Sequence, residues 1–113
     1  YYDLNRKYFG EDVISDEEIG LEWARIPHFY YNYYVYQYAT GYSAATSLSK
    51  QILEEGSTAV ERYITFLKAG SSDYPIEVLK KAGVDMTTKQ PIFDAFDVFE
   101  NKLKQMETLL LNR

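Results

Sequence analysis

The sequence predicts an all-α fold, and three observations predict it. Ile92, Phe96, Phe99, Leu103, Met106 and Leu110 step by four, three, four, three and four residues, the spacing of one apolar stripe along a helix. Residues that start and stop helices punctuate the chain at Gly10, Ser15 with Glu18, Pro27, Gly56, Gly70, Pro75 and Gly83. No stretch alternates apolar and polar residues between turn signals, as a half-buried strand would.

Each element follows from these signals. "YYDLNRKYFG" reads as a helix stopped by Gly10. Ser15 and Glu18 have capping-box spacing, which starts a short helix near Asp16. Pro27 lacks a backbone N–H and biases Ile26 away from helical angles, so the chain breaks there. A long helix is expected from about Phe29 to Glu55, ended by Gly56. Ser57 is placed to cap the next helix, whose stripe of Val60, Ile64 and Leu67 runs to Gly70. "GSSDYP" is turn chemistry, with Ser72 or Asp73 expected to cap a helix opening near Pro75 and ending near Gly83. The last helix is expected from about Pro91 to Leu111. Its seam fits core packing, with a coiled-coil partner as the alternative.

The segment "HFYYNYYVYQYATGYSAA", residues 28–45, breaks the pattern of one wet and one dry face. On a helical wheel Tyr30, Tyr33, Gln37 and Gly41 share one face, and Tyr31, Val35, Tyr38 and Tyr42 share another. Asn32, Tyr36, Ala39 and Ser43 make a third. Aromatics all round imply enclosure by protein. The small residues downstream permit close approach by another backbone. A chain of 113 residues has too little material to surround such a helix and solvate its other elements. Much of the enclosure is therefore expected from outside it. Residues 1–113 are expected to form one helical region and, since the sequence opens on "YYDLNRKYFG", a fragment of a larger protein.

Composition excludes several classes. Aromatics make up 17% of the chain, with 12 tyrosines, so disorder is not expected. A formal charge of -5 with no basic run argues against a nucleic-acid partner. No apolar run is long enough to span a bilayer, so no membrane partner is expected. There are no cysteines, which rules out disulfides and thiolate metal sites. One histidine and no HExxH string cannot make a zinc hydrolase unaided. The calcium-loop and phosphate-loop patterns are missing as well.

The candidate functional residues lie beside the Pro27 break. Tyr30 and Tyr33, one turn apart on the expected helix, are placed to line a cleft. A neutral phenol donates a hydrogen bond without bringing charge, which suits an oxyanion. His28 is a further donor or proton shuttle. The other tyrosines, Tyr31, Tyr34, Tyr38 and Tyr42, are expected to pack as large apolar groups with their hydroxyls tied to backbone or water.

Three strings, "YYDLNRKYFGEDV", "EWARIPHFYYNYYVYQYATG" and "FLKAGSSDYPIEVLKKAGVDM", closely resemble the C-terminal region of oligoendopeptidase F, among the thimet-oligopeptidase-like zinc metallopeptidases. The resemblance is collinear over nearly the whole chain. It implies the helical C-terminal part of a mostly helical, zincin-like enzyme with a deep channel. It further implies Zn2+ bound by upstream residues not in this chain, a short peptide as substrate and a cytoplasmic location. By position in the string, Tyr33 matches the family's principal tyrosine, which donates to the tetrahedral intermediate. Tyr30 matches the tyrosine a turn before it, and His28 joins Tyr30 in binding the peptide backbone. The 113 residues alone are then inactive, with exposed aromatic faces that favour self-association. The alternative is a free-standing helical module that binds a peptide or partner helix without catalysis.

Overall fold

The computed structural model describes residues 1–112, and among them there are helices and turns but no strand. The order is α1 (Tyr2–Phe9), a 3₁₀ helix (Glu17–Arg25), a 3₁₀ turn (Pro27–Tyr30), α2 (Tyr36–Glu55), α3 (Ser57–Ala69), α4 (Pro75–Lys81) and α5 (Gln90–Leu111). The all-α expectation holds. The chain divides into two compact units, Tyr1–Gln37 and Tyr38–Arg113.

In the first unit, α1 closes where the sequence places its stop. Gly10 has φ 78°, and its N–H donates to the Arg6 carbonyl at 3.0 Å. A side chain at that angle is disfavoured, so glycine is the natural terminator. The next helix is 3₁₀ rather than α, and its cap is Asp16, not Ser15. Asp16 Oδ1 accepts from the Ile19 N–H at 3.0 Å, serving a donor that the first turn leaves without a helical partner. Glu22 ties this segment together by accepting from Tyr1 Oη at 3.2 Å and from Arg25 Nη2. Those two bonds, Arg25 first, hold its carboxyl below the usual glutamate range. The break at Pro27 is where expected. Ile26 is extended, at φ -92° and ψ 107°, and Pro27 opens the following turn.

The second unit is built on the small residues of α2. Ser43, Ala44, Ser47 and Leu48 are its buried positions, so the shrinking side chains after Tyr42 do admit close neighbours. Ala44 and Leu48 pack with Ala82 and Val84, bordered by Tyr63, Phe66, Leu79 and Met86. α2 meets α5 through a polar contact. Asp94 accepts from Ser47 Oγ at 2.9 Å, Lys50 Nζ at 2.8 Å and Gln90 Nε2 at 3.1 Å. Burial raises the Asp94 pKa, but the bonds from Lys50, Gln90 and Ser47 outweigh it and leave the carboxyl below its ordinary value. A second junction joins α2, α3 and the turn after α4. Gln51 Nε2 donates to the Gly83 carbonyl at 2.9 Å, and Arg62 Nη2 donates to Gln51 Oε1 at 3.0 Å and to Glu55 Oε2 at 2.7 Å.

Two expected caps are corrected here. Ser57 is the first residue of α3, behind Gly56 at φ 69°, and makes no side-chain cap bond. Ahead of α4 the boundary residue is Tyr74. Asp73 instead accepts from the adjacent Tyr74 N–H and, through Oδ2, from Lys81 Nζ at 2.8 Å. It therefore closes the "GSSDYP" turn against the far end of α4, and Lys81 is the first cause of its lowered pKa.

The seam of α5 is helical as predicted, but it is not core. Ile92, Phe96, Phe99, Leu103, Met106 and Leu110 are all exposed, Phe96 and Phe99 to 63%. The reason is geometric. α5 turns a different side, Pro91, Asp94 and Ala95, toward protein. Ala39, Ser43, Ile92, Ala95, Phe96 and Phe99 border an open apolar groove of about 420 Å³ between α2 and α5.

Candidate functional site

The largest correction falls on the tyrosine segment. The α-helix expected from Phe29 begins at Tyr36. Before it, Pro27–Tyr30 form a 3₁₀ turn, Tyr31 is extended at φ -95° and ψ 111°, and Tyr33 has φ 59°. Aromatic side chains lose rotamer freedom against a preceding helical turn, and eight consecutive residues from Phe29 to Tyr36 contain six of them. Helix propagation is therefore weak here. The residues advance by turns instead, with Tyr34 N–H donating to the Tyr31 carbonyl at 3.3 Å and Gln37 N–H to the Tyr34 carbonyl at 3.1 Å. The wheel faces assigned to residues 30–35 do not exist.

Tyr33 is the one non-glycine residue at positive φ among the described residues. For a bulky side chain this is a real outlier, costing about 1–3 kcal/mol. Gln37 Nε2 donates to the Tyr33 carbonyl at 3.0 Å. Three rings from the residues before and after the strained one pack on one another. His28 stacks on Tyr34 with centroids 5.5 Å apart, Tyr31 meets Tyr34 edge-on at 5.9 Å, and Tyr31 meets His28 at 6.5 Å. Aromatic pairs contribute about 0.5–1.5 kcal/mol each, so the three contacts together are of the size needed to offset the strain. The Tyr33 side chain itself is turned outward, 81% exposed.

The expected site residues are thus near one another in sequence but are not one helical face. Tyr30 Oη donates to the Ala24 carbonyl at 2.8 Å, which fixes the ring and leaves oxygen lone pairs to accept from another donor. His28 belongs to the ring cluster. Tyr31 and Tyr34, expected only to pack, are the residues His28 packs with. Gln37 was legible as a neighbour of Tyr33 from its four-residue spacing, though its bond goes to the backbone.

Among the described residues no three His, Cys, Asp or Glu side chains converge as a metal site, and the chain has one histidine and no cysteine. Nor, among those residues, is any helix long and apolar enough to cross a membrane.

Comparison with known proteins decides the family. The sequence pattern of peptidase family M3 matches residues 1–98. The chain belongs to that family. It is 72% identical over 111 residues to oligopeptidase PepF of Bacillus subtilis, an alignment covering 98% of this chain and 17% of that protein. It is 49% identical over 110 residues to the plasmid oligoendopeptidase F of Lactococcus lactis subsp. cremoris, covering 97% and 18%. The crystal structure of oligoendopeptidase-F from Enterococcus faecium superposes with a TM-score of 0.84 at 55% identity, over 97% of this chain and 21% of that one. The M3 chain described here therefore spans about a fifth or less of the length of these relatives.

Proposed function

We propose that these 113 residues are the substrate-binding and oxyanion-stabilising part of a zinc-dependent oligoendopeptidase that hydrolyses short peptides. What supports the reading is Tyr33 together with the family. A chain of peptidase family M3 holds a phenol outward on a strained left-handed residue, and strain of that kind is characteristic of functional positions. The zinc, which would polarise the scissile carbonyl and activate water, is assigned to sequence outside these residues.

The part played by this chain is positioning and hydrogen bonding. Tyr33 Oη donates to the carbonyl oxygen of the bound peptide as that oxygen gains negative charge. A neutral donor gains most where the charge develops, so the bond favours the transition state over the bound substrate. Tyr30, with its proton committed to the Ala24 carbonyl, accepts from a peptide N–H and holds the substrate backbone. His28, in the 3₁₀ turn that also carries Tyr30, packs on Tyr31 and Tyr34.

The test is a chimera in which this chain replaces the aligned segment of the Bacillus subtilis oligopeptidase. Tyr33→Phe should lower kcat by about 10²–10³ while KM changes by less than about twofold. Activity on a short peptide within about twofold of the unsubstituted chimera would remove Tyr33 from the reaction.

A further inference from the structure

Tyr33 is flanked along the chain by groups that have no place in the reaction as proposed. His28, in the preceding 3₁₀ turn, lies nearly parallel to Tyr34, with ring planes 23° apart. Tyr31 stands at 86° to Tyr34 and 70° to His28. The residues on either side of Asn32 and Tyr33 are thereby pinned to one another and to the turn before them. On the other flank Gln37 bonds the Tyr33 carbonyl from the first turn of α2.

Such pinning has a physical purpose. An L-residue with a Cβ leaves the left-handed region unless its surroundings prevent it. If Tyr33 relaxed to an ordinary backbone angle, its phenol would swing to another direction. A catalytic group displaced by about 1 Å can forfeit most of its effect. Aromatic rings suit the task because they fix large contact area with only two side-chain torsions.

We propose that His28, Tyr31, Tyr34 and Gln37 are positioning residues that hold Tyr33 in its left-handed conformation, so that its phenol meets the reacting carbonyl. The proposal rests on the reading of Tyr33 as oxyanion donor. It gives His28 a role through ring packing, not through contact with the peptide.

Two measurements test it separately. The first is NMR of this chain, reading the Tyr33 backbone coupling and Cα shift in Tyr34→Leu, His28→Leu and Gln37→Leu and in the ring-preserving Tyr34→Phe and His28→Phe. The Phe variants should keep the wild-type values, and the Leu variants should move toward averaged ones. Unchanged resonances from α1 and the 3₁₀ helix Glu17–Arg25 show that the first unit stays folded in each variant, and Gln37→Leu loosens Tyr33 without removing a ring. The second is kinetics in the chimera. Each Leu variant should lose kcat about 3- to 10-fold with KM within about twofold, and the Phe variants should restore it. Unmoved Tyr33 signals in all three Leu variants would overturn the proposal, as would His28→Phe losing as much kcat as His28→Leu. Moved Tyr33 signals with unchanged kcat would uphold the clamp and overturn Tyr33 as the donor.

Discussion

Replacing Asp94 by Ala should destabilise the α2–α5 unit by about 2–3 kcal/mol at neutral pH. The carboxylate accepts three hydrogen bonds, from Ser47, Lys50 and Gln90, and its side chain is 12% exposed. Bonds to a charged acceptor contribute roughly 1.5–3 kcal/mol each, and removing one partner of a buried pair costs about 3–5 kcal/mol. Two effects reduce the sum. Lys50 is 27% exposed and can turn to water, and the desolvation of the carboxylate is relieved when it is removed. Urea unfolding followed by far-UV circular dichroism reads the result. With a slope of about 1.5 kcal/mol/M, the midpoint should fall by roughly 1–2 M. The sign of the pH dependence is fixed by the lowered Asp94 pKa. A carboxyl with a folded pKa below its unfolded value of about 3.9 stabilises fully above that value and loses the contribution as pH falls through the folded pKa. The gap between wild type and Asp94→Ala should therefore narrow from pH 5 toward pH 2. A midpoint unchanged by the substitution at pH 7, or a gap that widens in acid, would refute the reasoning.

Other outcomes follow from the same structure. Gly83→Ala should cost about 1–3 kcal/mol, read as a lowered Tm, because φ is 95° and the new Cβ would lie 2.6 Å from Gln51 Oε1. The wild-type chain, at 13.2 kDa, should sediment with a mass that rises with concentration, since the apolar seam of α5 is open to water. Phe99→Glu should shift it toward the monomer, and a concentration-independent monomer for the wild type would count against association through this face. Stability should also decline above about pH 10.4, because Lys50 and Lys81 gain carboxylate partners that raise their pKa values, and that contribution goes as each loses its proton. A flat urea midpoint from pH 9 to 11 would contradict this.

The helices themselves were mostly legible because their signals are local. Gly10, Gly56 and Gly70 end or separate helices where the backbone takes positive φ. Pro75 opens α4, and the four–three spacing of α5 persists through five steps. Caps were less legible, since Ser15 and Ser57 have the right chemistry but a neighbour occupies the boundary. Which hydroxyl or carboxylate reaches a free N–H depends on where the helix starts, and a one-residue shift changes the answer.

By itself the sequence determined that the chain is helical, where most helices stop, and that residues 28–45 are unlike an ordinary amphipathic segment. It also carried the strings by which the family is recognised. Only the tertiary structure decided that Tyr33 sits in a left-handed turn rather than on a helix, and that the rings of His28, Tyr31 and Tyr34 pack on one another close to it in the chain. It also decided that α5 turns Asp94 toward α2 while its apolar seam faces water. The physical reason is that helix formation is written in contacts a few residues apart. Strain at one residue, and the choice of which helix face to bury, depend on the balance of packing against everything nearby.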